Sequence, residues 1–230
     1  MLIPITRQKF EQVVPILATG PQYAYYWGKF RDFLKRLSIS VVAVVIILIL
    51  GLLLGPGFNG IRLLLWIITG LYWWWGPIYW ATMRNLQMRR YKYSGFWRGR
   101  VLDVFISEEL IGTEETVNKR GELMIVENRE RRINLEVGDN QGFTTLLQAP
   151  LSRNQKGIAA GQIAEMLVMS NQADLERIAQ TSDIYLPRLD LWVSDYPHLR
   201  REDFVQVSQQ LSRSRDRGNR EERVARRRRY

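Results

Sequence analysis

Acidic residues fall in adjacent pairs at Glu108-Glu109 and Glu114-Glu115, and the chain has a single histidine, His198. Paired carboxylates do acid–base work when burial or a like charge drives their pKa values apart. Neighbouring acids in a polar stretch read instead as a solvated loop. Asp103 would act as a base only if buried beside a partner, and the sequence identifies none. His198 follows Pro197 in a polar stretch and reads as an exposed loop residue. One histidine and no cysteine exclude disulfides, thiolate zinc sites, cysteine-held iron–sulfur clusters, covalent c-type haem and multi-histidine metal sites. Gly157-Ile158-Ala159-Ala160-Gly161 lacks the downstream lysine of a phosphate loop and reads as the start of a helix packed on a sheet. No catalytic, cofactor-binding or metal-binding residue is therefore assigned. The expectation is a protein that is not an enzyme, with a surface-acting enzyme as the least favoured class.

The elements that would carry any function begin with two apolar runs. Residues 37–61 hold no charge, and after Arg62 residues 63–83 hold none. A bilayer core of ~30 Å needs about 20 apolar residues at ~1.5 Å rise. Each run is long enough, with spans at 39–54 and from about Ile61 onward, joined by a turn at Gly55-Pro56-Gly57-Phe58-Asn59-Gly60. Arg62 can reach the headgroups from the start of the second span. Pro77 predicts a kink near its exit. Its later part carries Tyr72, Trp73, Trp74, Trp75, Tyr79 and Trp80. These aromatics read as an interfacial belt, or as a flat face for a pigment, quinone or partner helix. Lys and Arg cluster before the first run (Arg7, Lys9, Lys29, Arg31, Lys35, Arg36) and after the second (Arg84, Arg89, Arg90, Lys92, Arg98, Arg100). Both termini should then face the cytoplasm or stroma. A cleaved secretory signal is disfavoured, because the first apolar run starts almost forty residues in.

Ahead of the hairpin, residues 6–37 read as two helical pieces broken at Gly20-Pro21. Tyr23, Tyr26, Trp27, Phe30, Phe33, Leu34 and Leu37 recur at helical spacing on one face. That face would lie in the membrane interface or pack on the C-terminal domain. Past Tyr91 the period changes. Strands are expected at 99–106, 122–127, 131–137 and 143–147, with Asn128-Arg129-Glu130 as a hairpin connection and a turn at 138–142. Helices are expected at 158–169, extending toward 179, and at 203–211, with a strand at 189–193. The fold class is α+β: N-terminal amphipathic helices and a transmembrane helical hairpin, then a small antiparallel-sheet domain with C-terminal helices. The organisation reads as 1–37 interfacial, 38–83 hairpin, 91–211 α+β domain and 212–230 tail.

The net charge is +10, and the tail from Ser212 carries nine arginines, including Arg226, Arg227, Arg228 and Arg229, for a side-chain charge of +6. Almost without apolar residues, it is expected to be disordered alone. It would contact anionic lipid headgroups or an acidic protein surface, or remain solvated. No recognition motif accompanies the charge, which disfavours nucleic acid as partner. Trp27, Trp73, Trp74, Trp75, Trp80 and the four terminal arginines are the candidate membrane- or partner-binding residues.

Four segments carry a resemblance: ATGPQYAYYWGKF (18–30), RLSIS (36–40), PIYWATMRN (77–85) and RRYKYSGFWRGRVLDV (89–104). They resemble a family of uncharacterised two-span membrane proteins of cyanobacteria with relatives in plant chloroplasts. The resemblance implies a thylakoid or cytoplasmic membrane and an auxiliary role in photosynthetic complexes. Some such proteins carry a transporter-permease label, but two spans without an intramembrane charge offer no substrate path. The expected function is a non-enzymatic, membrane-anchored assembly or stabilising factor for a membrane protein complex. The alternative is a membrane-anchored lipid- or ligand-sensing module.

Overall fold

The structure, a computed structural model, describes residues 1–54, 59–117 and 123–213. The chain forms two units: Met1–Phe10 with the chain from Tyr91 onward, and Glu11–Arg90. The fold is α+β, with one antiparallel sheet and six helices among the described residues.

The sheet unit contains β1 (Leu2–Pro4), β2 (Tyr93–Val117), β3 (Leu123–Gly138), β4 (Thr144–Pro150), β5 (Ile163–Ser170), β6 (Gln180–Thr181), β7 (Ile184–Leu186) and β8 (Leu191–Val193). Their order is β4-β3-β2-β5-β7-β8, with β1 added to β2 and β6 to β5, and every pair is antiparallel. Period-two side chains send Trp97, Val101, Ile133, Leu135, Val137, Met166, Val168, Ile184, Leu186 and Val193 into one core. A 3-10 turn at Arg153–Gly157 follows β4 and packs against β8, at the opposite edge of the sheet. The sheet therefore curls around its core. Gly99 lets the Trp97 indole cross the strand, because a Cβ there would collide with the ring and with the Gly138 carbonyl. Helix α6, residues 201–213, covers the outer face of β5. Its Phe204 stacks on Phe96 at 5.5 Å and meets Trp192 and Tyr185 edge-on.

Several expectations change here. Residues 158–169 are not helical: β5 runs from Ile163 to Ser170, and 173–179 hold no helix. From Ala164 on, β5 is buried on both faces, by the core and by the face α6 covers, so the alternation that marks a half-exposed strand is missing. Asn128-Arg129-Glu130 is no turn; it lies inside the continuous β3. The polar residues do not end the strand because both faces there meet solvent. The strand at 99–106, the turn at 138–142, and the strand and helix near 191 and 203 are present. The C-terminal helices reduce to α6 and the 3-10 turn. Strand β1 was not anticipated.

The helical unit contains α2 (Gly20–Trp27), α3 (Phe30–Leu54), α4 (Asn59–Gly70) and α5 (Tyr72–Arg89), preceded by α1 (Arg7–Val13). Gly20-Pro21 opens α2 rather than merely breaking a helix, with Thr19 and Gln22 forming a reciprocal capping box. Phe30 to Leu52 forms one helix long and apolar enough to cross a membrane, with little of it buried in the protein. Asn59 and Gly60 belong to α4 and not to the turn; residues 55–58 lie outside the described residues. The second apolar run is interrupted at Leu71, between α4 and α5. Bonding nevertheless continues across it, from Leu71 N to the Ile67 carbonyl at 3.2 Å and from Trp75 N to the Leu71 carbonyl at 3.1 Å. Helix α5 carries on through Pro77.

Candidate functional site

In the helical unit, the capping box holds Gln22 at the start of α2, aimed at α5. Gln22 Nε2 donates to Asn85 Oδ1 at 2.8 Å, and Asn85 Nδ2 donates back to Gln22 Oε1 at 2.9 Å. Both side chains are fully buried. Asn85 also donates to the Leu17 carbonyl at 3.4 Å, and the Thr19 amide donates to Gln22 Oε1 at 3.0 Å. This amide clasp was missed in the sequence. Its signal was the Thr-Gly-Pro-Gln capping pattern, which points Gln22 back at the helix start.

Toward the other end of α2 and α5, Trp27 meets Trp73 edge-on at 6.3 Å, and Phe33 contacts both rings. Arg36 lies 5.5 Å over the Trp27 ring and donates to the carbonyls of Tyr26 and Trp27. The Trp73 amide donates to the buried Ser40 hydroxyl at 3.2 Å. Trp27 and Trp73 thus tie α2, α3 and α5 together. Trp75 donates its indole N–H to the Ile68 carbonyl at 2.7 Å. Trp74 and Trp80 point outward, 52% and 51% exposed. The structure brings Trp27 and Trp73 together and leaves Trp74 and Trp80 as surface aromatics. Arg226, Arg227, Arg228 and Arg229 lie outside the described residues.

In the sheet unit, β2 and β3 pair from Arg100↔Gly138 out to Val117↔Leu123. Strand β5 leaves β2 after Arg100, and β4 covers β3 only from Arg132. Beyond these points the two strands form a ribbon with both outer edges unpaired among the described residues. At ~3.3 Å per residue, the ten residues from Glu108 to Val117 carry it about 30 Å. A bulge at Leu110/Gly112 adds twist. Apolar side chains crowd its outer part: Leu110, Ile111, Leu123, Met124 and Ile125 are all exposed, Leu123 by 74% and Ile125 by 69%. At its base, Glu108 pairs with Arg131 at 3.3 Å and Glu109 with Arg132 at 2.7 Å, so this acid pair is cross-strand structure. The side chains of Glu114 and Glu115 lie outside the described set.

Three buried acids complete the unit. Asp139 accepts from the Trp97 indole at 2.9 Å, from the Met1 amine at 3.1 Å and from the amides of Gln141 and Phe143. Burial opposes its charge, but the Gln141 amide, the amine and the indole outweigh burial and hold its pKa below the ordinary carboxylate range. Glu165 is buried in β5, accepts from the Ser208 hydroxyl at 2.6 Å and pairs with Arg98 at 3.4 Å. Burial raises its pKa despite those two partners. Asp183 accepts the His198 amide at 2.9 Å and lies 3.0 Å from His198 Nδ1. His198 is therefore not an exposed loop residue; it is half-buried and fastens the segment between β8 and α6. Asp103 accepts from the next backbone amide, Val104, at 2.7 Å. Among the described residues no three His, Asp or Glu side chains converge as metal ligands.

The architecture defines an α+β protein with an apolar N-terminal helix of membrane-crossing length and a curled antiparallel sheet whose β2–β3 ribbon has unpaired edges among the described residues. The chain belongs to a family of unknown function, DUF8619, which matches residues 3–219. No curated protein and no solved structure matches it.

Proposed function

We propose that the protein is a membrane-anchored assembly or stabilising factor, which offers its β2–β3 ribbon to a strand of a partner subunit in a thylakoid or cytoplasmic-membrane complex. The ribbon carries this reading. A two-stranded ribbon is marginal alone in water. Long unpaired edges with exposed apolar side chains are a template for another strand. Soluble monomers blunt such edges with charge, and the outer part of β3 instead presents Leu123, Met124 and Ile125.

The anchor reading is a hairpin, α3 crossing one way and α4–α5 returning. Strand β1 supports it: Leu2, Ile3 and Pro4 pair with Trp97, Phe96 and Gly95, so the chain before and after the helices ends up in one sheet. A chain that crosses once must then cross back. The Lys and Arg clusters flanking the helices support the reading that this side is the cytoplasm or stroma. Replacing Leu123 and Ile125 with Glu tests the function. The variant is expected to resist alkaline extraction as wild type does, yet to lose the stoichiometric complex on a native gel after mild solubilisation. Undiminished complex would refute the ribbon as docking arm. Protease access to the sheet unit only from the non-cytoplasmic face would refute the orientation.

A further inference from the structure

Where β5 leaves β2, the core is left open at one end. Past Val101 the edge of β2 has no neighbouring strand among the described residues, and residues of the 3-10 turn line the same opening. The opening is a groove of about 640 Å³. Its apolar lining is Val104, Phe105 and Ile106 of β2, Ile133 of β3, and Leu151 and Ile158 on either side of the 3-10 turn. The volume is that of a small-molecule site at the mouth of a curled sheet. Phe105 and Ile106 remain exposed although they line it, so an apolar surface here is uncovered.

The rim has one sign of charge. Arg131, Arg153 and Lys156 border the groove, and no acid among the described residues lines it. Arg131 is engaged by Glu108. Arg153 and Lys156 make no ion pair or side-chain hydrogen bond among the described residues, and both are exposed. Their backbone is held in place. Gln155 between them is buried, accepts from the Ser152 amide at 2.8 Å and closes a capping box, while the Ile158 amide donates to the Gln155 carbonyl at 3.1 Å. Two cations without a partner among the described residues thus stand on a held backbone turn at the lip of the apolar groove.

We infer that this groove binds a long-chain anionic lipid, its acyl chain along Val104, Ile106, Ile133 and Ile158 and its phosphate at Arg153 and Lys156. An apolar ligand alone would leave the cations without purpose, and a small anion would leave the apolar walls wet. An anionic amphiphile satisfies both halves of the lining. The inference rests on the groove and not on the ribbon's partner, so either can fail without the other.

The test uses the full chain in a nonionic detergent with a photoreactive lysophosphatidic acid bearing a diazirine in a 16-carbon chain. Saturable labelling is expected within 104–106 or 151–158, read by peptide mapping. Unlabelled lysophosphatidic acid should compete, and lysophosphatidylcholine of the same chain and glycerol 3-phosphate should not. R153E/K156E, on the exposed turn, should weaken labelling at least tenfold. Ile106→Trp, which fills the groove without changing charge, should abolish it. Labelling confined to the helices would overturn the inference, as would equal competition by the phosphocholine lipid. Competition by glycerol 3-phosphate would mean a phosphate site without a chain groove. Unchanged labelling of R153E/K156E would remove the headgroup assignment, and that variant stands as the test even if Ile106→Trp fails to fold.

Discussion

Replacing Asn85 with Leu strikes the helical unit at its most specific contact. The side chain makes two reciprocal bonds with Gln22, at 2.8 and 2.9 Å, and a longer one to the Leu17 carbonyl. Leucine fills much of the volume but withdraws Gln22's partner in both bonds. Burying amide groups without such partners costs about 1–3 kcal/mol each, so the single variant should lose about 2–4 kcal/mol. Gln22→Leu should cost about as much, since it also removes the acceptor of the Thr19 amide. The double variant is the decisive one. With both amides gone no mismatched pair remains, and its cost should fall short of the sum of the singles by about 1–2 kcal/mol. The assay is thermal unfolding of the full chain in mild detergent, followed by tryptophan fluorescence, because Trp27 and Trp73 join the same helices, α2 and α5, that the clasp joins. Additive losses, or single variants within about 0.5 kcal/mol of wild type, would refute the view that the amides act as one buried unit.

Trp73→Leu should lower the melting temperature of the helical unit, because it strips the edge-on contacts to Trp27 and Phe33, whereas Trp74→Leu with Trp80→Leu should not. If the outward indoles meet a partner, the latter pair should weaken the complex on a native gel instead. Asp139 has a lowered folded-state pKa, so its stabilisation is present above the ordinary carboxylate pKa and is lost as pH falls through the lowered value. Asp139→Asn should therefore flatten the acid limb of stability against pH in melts from pH 7 down to pH 3. Glu165 has the opposite sign: its folded-state pKa is raised, so stability is full below the unfolded pKa and declines as pH rises through the folded value. Glu165→Gln should thus gain on wild type between pH 4 and pH 7, and a widening loss over that range would refute it.

The apolar helix, the strand at 99–106, the turn at 138–142 and the final helix were legible because each has a local cause: an unbroken apolar run, period-two alternation, clustered turn residues, helical spacing. Strand β5 was not, because its alternation disappears once both faces are covered, and Ala, Glu, Met and Leu favour a helix locally. The 128–130 stretch misled for the reverse reason, as polar residues that look like a turn sit on a ribbon exposed on both sides. Trp27 and Trp73 were legible as important residues, but their meeting depends on how α2, α3 and α5 pack, which spacing does not encode. Gln22 and Asn85, 63 positions apart, left only the capping pattern as a trace.

Strand β1 also sets a timetable. Ile3 emerges from the ribosome first but finds Phe96 only about ninety residues later, after every helix of the other unit has been made. At ~5–20 residues per second of synthesis, that wait is roughly 5–20 s. During it, the edge of β2 that β1 will cover does not yet exist, and Leu2 and Ile3 have no sheet to join. Closing the sheet is consequently a late event in synthesis. The three-residue strand thus makes completion of the sheet wait on synthesis of all the helices between its two partners.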